Sequence, residues 1–292
     1  MAIRVAVVTG GNKGIGLEIV RVLCRQLGDG GVVYLTARDE SRGQQAVELL
    51  RKEGLTPKFH ILDVTDAGTI SRYRDYIEKT HGGLDILVNN AGIGTPQDLS
   101  SYDQAQTVIA TNFTGLLEVS RSLIPLLRSG GRVVHLASTM AHMAFTQVGD
   151  RVRAKFRQVS SEQDVIDLMS DFLKAHKART IVEEGWTEWS YGISKLGVVS
   201  LATMQAQEIS KDASRQDILI NSCCPGFVQT DMMTANLSED NCFGRQKIST
   251  LEGADTPVYL ATLPAGSTEP HGKFLLRRQV YEFINNDREI QF

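Results

Sequence analysis

Short apolar, β-branched runs alternate with helical stretches along most of this chain, and that alternation is what most limits its possible folds. Ile3–Val8 leads into a helical pattern from Ile15 to Leu27, then Val32–Leu35, then a charged helix over Ser41–Glu53. The pattern repeats with Lys58–Leu62, a helix near Ala67–Thr80, Ile86–Val88, a long helix within Asp103–Leu127, and Arg132–Leu136. Continuous apolar strands separated by helices belong to parallel sheets covered on both faces. Right-handed crossovers then lead to an α/β, doubly wound sheet of the Rossmann kind. A helix over Ser190–Ser210, a strand at Ile218–Cys223 and a last strand at Gly272–Leu276 extend it. We expect residues 1–292 to form one dinucleotide-binding and catalytic domain.

The stretch between Thr139 and Ser190 breaks the rhythm. It contains no strand pattern, and Val165, Leu168, Met169, Phe172 and Leu173 fall at helical spacing. Ser161 with Asp164 forms a capping box at the start of that helix. The spacing predicts a helical insertion over about 139–189, lying against the main domain.

At 292 residues the chain can bury most of its apolar surface without disulfide or metal. A net charge of −3 offers no long-range attraction to a phosphate backbone, so no nucleic-acid partner is expected. Cys24, Cys223, Cys224 and Cys242 match no zinc spacing and read as reduced thiols. The N-terminus runs straight into a strand pattern, and no uncharged apolar run reaches bilayer length, so a cytoplasmic protein with no membrane partner is expected.

Val5-Ala-Val-Val-Thr-Gly-Gly-Asn-Lys-Gly-Ile-Gly16 is a strand entering a glycine-rich turn and then a helix. Gly10, Gly14 and Gly16 let backbone approach a pyrophosphate at the positive end of the helix, although the spacing departs from GxGxxG. The second strand ends in Thr36-Ala-Arg-Asp-Glu40. Ala37 stands where an NAD site needs a carboxylate, and Arg38 and Arg42 suit the 2′-phosphate of NADP(H). The alternative is a solvated arginine pair at a helix start, with Asp39 as a ribose ligand. Asp63 either accepts from an adenine amino group or caps the next helix.

Tyr191-Gly-Ile-Ser-Lys195 places a phenol and an ammonium one turn apart on a helix face. A lysine charge there is expected to lower the tyrosine pKa from its usual value near 10. With Thr9–Gly16, Asn89-Asn-Ala-Gly92, Asn112, Ser138 and Pro225-Gly-Phe-Val-Gln-Thr-Asp231, in that order, the sequence resembles the short-chain dehydrogenase/reductase family.

The resemblance implies a proton donor in Tyr191, a pKa-lowering and ribose-holding Lys195, a carbonyl-binding Ser138, and Asn112 anchoring a relay water. A helix kink is the simpler account of Asn112. The implied cofactor set is Gly10, Asn12, Lys13, Gly14, Ile15, Gly16, Arg38, Arg42, Asp63, Val64, Asn89, Ala91, Gly92, Tyr191, Lys195, Pro225, Gly226, Val228 and Thr230.

Within the family the chain is most similar to monomeric carbonyl reductases. The similarity lies in Gly11-Asn-Lys-Gly, Leu35-Thr-Ala-Arg-Asp, Gly82-Gly-Leu-Asp, Cys223-Cys-Pro-Gly and Gly253-Ala-Asp-Thr-Pro-Val-Tyr-Leu260. In that subgroup an insertion covers the helices through which other members form tetramers, which implies a monomer and a preference for NADPH. Substrate ketones, aldehydes and quinones would meet Ser138, Met140, Trp186, Phe227, Met232 and Met233, near a substrate loop over about 225–250. Ordinary core packing is the rival account of each apolar member. Ala137-Ser-Thr and Phe227 depart from the subgroup's usual Ser-Ser pair and tryptophan. Two other functions compete: an NAD-linked alcohol or steroid dehydrogenase, and a non-enzymatic sensor of the NADPH/NADP ratio.

Overall fold

The computed structural model describes residues 3–96, 98, 101–234 and 247–285, with the side chains of 233 and 234 outside that set. In chain order the first half comprises β1 (Arg4–Val8), α1 (Gly14–Leu27), β2 (Gly31–Ala37), α2 (Glu40–Lys52), β3 (Lys58–Ile61), α3 (Ala67–His81) and β4 (Leu84–Asn89). The second half comprises α4 (Ser101–Ile109), α5 (Gly115–Leu123), β5 (Leu127–Leu136), α6 (Met140–Gln147), α7 (Asp150–Arg157), α8 (Glu162–Ala178), α9 (Ser190–Ile209), β6 (Leu219–Cys224), α10 (Asp231–Thr234), α11 (Thr250–Ala261), β7 (Phe274–Leu276) and β8 (Gln279–Val280).

The strands form one sheet in the order β3-β2-β1-β4-β5-β6-β7-β8, and every pairing is parallel except β7 with β8. Chain direction across the sheet reverses between β1 and β4, so a crevice opens beyond the carboxyl ends of those strands. Both faces are buried. In β1, Ala6 and Val8 pack with α1 residues Ile19, Val20 and Leu23, while Val5 and Val7 pack with Tyr73, Ile77 and Val119 on the other face. Burial on both sides is why these strands read as unbroken apolar runs.

The expected helix within Asp103–Leu127 is two helices, α4 and α5, joined by a π-helical turn at Ala110–Thr114. The 3-10 turn Ile124–Leu126 follows, with Pro125 in it, and Leu127 already belongs to β5. Strand β8 had no sequence signal, because its turn uses Arg277 and Arg278 at φ of 50° and 62° instead of glycine or asparagine.

The insertion holds three helices, α6 to α8, where one was expected. The Ser161–Asp164 capping box is present, and Val165, Leu168, Met169 and Phe172 are buried. Helix α8 lies against α4 and α9. At Gly197 of α9 an added Cβ would stand 2.9 Å from Met169 Sδ, so glycine permits the close approach.

Candidate active site

The phosphate end of the crevice is built from backbone. Gly10 and Gly14 have φ of 61° and 55°, a region L side chains rarely adopt. A Cβ on Gly16 would fall 2.4 Å from both Gly10 O and Asn90 Nδ2. The Asn90 amide donates to Thr9 O at 2.8 Å and Gly10 O at 3.0 Å, and Thr9 Oγ1 accepts from the N–H groups of Asn90 and Ala91. These bonds tie the turn after β1 to the chain leaving β4.

Helix α1 starts behind Lys13 with no side-chain cap and no acid in its first turn. By contrast α2, α3, α8 and α11 are capped by Asp39, Asp66, Ser161 and Ser249. The α1 terminus thus offers N–H groups and a positive dipole end to an anion, which fits a dinucleotide pyrophosphate. Asn12 and Ile15 are half-buried beside it. Lys13 Nζ meets Asp231 Oδ2 at 2.8 Å on the rim. A Cβ on Gly14 would touch Thr230 Cγ2 at 3.3 Å, so the chain after Pro225 folds back over the glycine turn.

At the tip of β2 the exposed Arg38 forms no ion pair among the described residues. Asp39 accepts from Arg42 N at 2.8 Å as the α2 cap, and its other oxygen lies 3.9 Å from Arg42 Nε. The capping role occupies Asp39 and weakens its case as a ribose ligand. Asp63 does not cap α3, since Asp66 does; its Oδ1 accepts instead from the N–H and hydroxyl of Thr65. Val64 is buried beneath it, its carbonyl oxygen against Gly115.

The reacting end is built from side chains. Ser138 follows β5; its hydroxyl accepts from Met140 N at 3.2 Å and lies close enough to Tyr191 to pull the phenol's pKa down. Tyr191 and Lys195 lie in the first two turns of α9, with Lys195 Nζ 5.8 Å from the centre of the phenol ring. That nitrogen donates to Leu136 O at 2.8 Å and is 5% exposed at the residue level. Asn112 sits fully buried in the π-helical turn. Its Oδ1 accepts from Ile93 N at 2.8 Å, and its Nδ2 donates to Ile93 O and Ser194 Oγ. Asn112 is therefore tied to the chain after Gly92 and to α9, beyond any local kink. A Cβ on Gly92 would come within 3.1 Å of Asn112 Oδ1 and 3.5 Å of Lys195 Nζ, so both atoms border one small space.

The expected electrostatics need correction. Burial pushes the Tyr191 phenol up to about 12, with Cys224 adding to the rise and the nearby Ser138 hydroxyl pulling the other way. Burial likewise pushes the Lys195 ammonium down to about 8. Removal from water is the largest cause of both shifts.

The apolar candidates divide. Met140 and Phe227 are half-buried, and Met140 O lies 3.1 Å from where a Cβ on Gly192 would be, beside Tyr191. Trp186 is not beside the phenol: it packs edge-on to Phe156 and Phe172 within the insertion, so core packing accounts for it. Met232 is exposed on α10, and the Met233 side chain lies outside the described residues, as does Cys242. Val228 is buried in a bridge to Ile248, and Gly226 turns at φ of 92° after the half-buried Pro225. Ser194 was missed. Its hydroxyl accepts from Asn112 and donates to Tyr191 O at 2.7 Å, and only its place within the Tyr-x-x-Ser-Lys run hinted at this.

With this geometry in hand, the chain can be compared with known proteins. Residues 4–155 match the family model described as short chain dehydrogenase. Carbonyl reductase [NADPH] 1 of Homo sapiens is 42% identical over 284 residues, covering 96% of this chain and 99% of the human one. Carbonyl reductase [NADPH] 3 of Mus musculus is 43% identical over 282 residues, covering 96% and 98%. Among solved structures, salutaridine reductase from Papaver somniferum superposes with a TM-score of 0.77 at 29% identity, covering 93% of this chain and 99% of that one. Menthone neomenthol reductase from Mentha piperita gives 0.76 at 28%, covering 95% and 99%. A serine, a tyrosine and a lysine gathered beyond the strand tips, with a glycine turn across the crevice, are thus set in a chain that belongs to the short-chain dehydrogenase family and is an oxidoreductase.

Proposed function

We propose that this chain reduces ketones, aldehydes and quinones to alcohols with NADPH. The observation that carries the reading is the half-buried Tyr191 with Lys195 one helical turn away, its Nζ 5.8 Å from the phenol ring, and Ser138 near enough to pull on the phenol's titration. Bound NADPH supplies the hydride that reaches the carbonyl carbon. Ser138 donates a hydrogen bond to the carbonyl oxygen and stabilises its developing charge. Tyr191, held protonated by burial at neutral pH, gives that oxygen its proton. Lys195 then faces a tyrosinate, and its charge favours that product. Asn112 Oδ1 and Lys195 Nζ share the space above Gly92, a suitable seat for a water that returns a proton.

The glycine turn and the uncapped α1 support pyrophosphate binding. Arg38, with Arg42 and Asn12, supports the 2′-phosphate. Asn89, Ala91, Gly92, Val64 and Asp63 line the adenosine side, and Pro225, Gly226, Val228 and Thr230 the nicotinamide side. Met140 and Phe227 stand as apolar walls for substrate. The carbonyl reductase [NADPH] relatives act in the same sense by their names. Turnover with a panel of quinones and aromatic ketones, with NADPH and then NADH, tests the reading. A strong NADH preference or no ketone reduction overturns it.

The packing of α8 on α4 and α9 supports a monomer, because those helices are the ones tetrameric members pair. Sedimentation at a mass near 32.1 kDa is expected. A cytoplasmic setting agrees with the free thiols of Cys24, Cys223 and Cys224 and with the lack, among the described residues, of a helix long and apolar enough to cross a membrane.

A further inference from the structure

A line of buried polar side chains runs beneath the reacting end and leads to the insertion. Asn89 of β4 and His135 of β5 are register partners whose side chains meet on the face covered by α5 and α9. Asn89 Nδ2 lies 3.0 Å from Ser120 Oγ and 3.1 Å from His135 Nδ1. His135 Nε2 lies 2.9 Å from Gln205 Oε1. Gln205 Nε2 donates to Glu162 Oε2 at 3.1 Å, and Glu162 Oε1 accepts from Arg121 Nε at 2.7 Å. Asn89, Ser120 and His135 are at most 2% exposed, and Gln205 is 8% exposed.

The direction of every bond follows from the outer end. A carboxylate only accepts, so the Gln205 amide turns its NH2 to Glu162 and its oxygen to His135. His135 Nε2 must then carry the hydrogen, which leaves Nδ1 to accept from Asn89. The Asn89 amide is thereby turned to use both donors, and its Oδ1 is buried with no hydrogen-bond partner among the described residues. Burial and the nearby Lys195 charge keep the imidazole neutral, with a pKa pushed down to about 4.

Both anchored strand tips serve the site. His135 precedes Leu136, whose carbonyl receives Lys195 Nζ, and Ser138 follows. Asn89 begins the run to Gly92, where Lys195 Nζ and Asn112 Oδ1 meet.

We propose that Gln205 and Glu162 are positioning residues for carbonyl reduction. Through the His135 tautomer, the first residue of insertion helix α8 holds the tips of β4 and β5 under Lys195. The insertion is on this view part of the catalytic framework as well as a cover over α9. The proposal rests on the reductase reading for its kinetic arm only.

The test substitutes Gln205→Glu. Groups facing that position are Glu162 on α8, His135 on β5, Arg121 on α5 behind Glu162 with Glu118 beside it, and Lys195 acting on His135 from α9. While protonated, the introduced carboxyl can donate to Glu162 and accept from His135 as the amide does. Once ionised it opposes Glu162, whose charge raises its pKa.

Turnover with NADPH and a ketone should stay within about threefold of the parent at pH 6, then show an added alkaline loss that takes it about tenfold below the parent measured at the same pH by pH 9. Adding Glu162→Gln restores a donor at the outer end and should abolish that added loss. Gln205→Met should lower kcat about tenfold with KM and NADPH affinity within about twofold. Nitrogen-15 NMR of the labelled parent should show His135 protonated at Nε2. A profile for Gln205→Glu that superimposes on the parent's, or a His135 protonated at Nδ1, overturns the proposal. A parent that reduces no ketone instead defeats the reductase reading, and the NMR measurement still decides the tautomer.

Discussion

The two ends of the crevice hold their chemistry in opposite ways. At the glycine turn, backbone geometry makes the site, and its charges stay in water: Lys13 and Asp231 have 64% and 78% of their side-chain surface exposed. At Tyr191 side chains make the site, and Lys195 is buried with no carboxylate paired to it among the described residues, its nitrogen resting on one carbonyl. Burial shifts both catalytic titrations. Charges in water bind and discriminate; buried ones set reactivity. Substitutions at the reacting end should therefore act on kcat, and those at the phosphate end on cofactor KM.

The largest effect tests the reacting end. Tyr191→Phe should cut kcat about 10³-fold, within the range for loss of a positioned acid, while NADPH affinity changes by less than about threefold. Fluorescence titration and steady-state turnover check it. Comparable losses in both quantities would erase the contrast between the two ends.

The pH dependence comes next. A lysine lowered by burial is protonated in both folded and unfolded chains below about 8, so the full cost of burying its charge is present there. Between about 8 and 10.5 the unfolded chain holds the proton and the folded one releases it, so this residue's contribution to stability rises with pH. Tyr191 acts oppositely from 10 to about 12, where the folded chain keeps a proton the unfolded one loses, and stability falls as pH rises. For activity, losing the Lys195 charge removes what favours tyrosinate. The profile of kcat/KM, which reports the free enzyme, should be level below about 8 and drop above it, about tenfold per pH unit. Lys195→Met should lose that limb together with most of the activity.

At the phosphate end, Arg38→Ala should raise the KM for NADPH about 10- to 100-fold, the worth of a hydrogen bond to a charged group, and leave the KM for NADH nearly unchanged. Equal effects on both cofactors would place the 2′-phosphate elsewhere.

The contrast also explains what the sequence disclosed. The phosphate end is local in sequence, since Gly10, Gly14 and Gly16 report backbone demands within one turn, and β1, β2 and β4 are apolar because they are buried on both sides. The reacting end is partly local: Tyr191 and Lys195 share a helix, so their adjacency could be read. Their titration could not, because it depends on how much protein covers them. Trp186 looked like a pocket wall by nearness in sequence, yet α7 and α8 enclose it. The line from Asn89 through His135 and Gln205 to Glu162 joins bonded neighbours 46, 70 and 43 positions apart, and no local pattern marks it. The β7–β8 turn was hidden for a different reason, since it places two arginines where turn chemistry favours glycine.

The smallest effect probes the rim, where the chain after Thr230 meets the glycine turn. An ion pair this exposed gains little over hydration and is screened by salt. Asp231→Asn should shift Tm by less than about 2 °C, and that small change should vanish in 1 M salt. Its kinetic effect should also be small and confined to cofactor KM, because Asp231 opposes the phosphates while Lys13 attracts them. A weaker Asp231 charge leaves Lys13 free for the anion, so NADPH should bind slightly tighter at low ionic strength and equally at high. A drop in kcat of more than about threefold would mean that the rim reaches the reacting groups, and the division between the two ends would fail at its weakest charge.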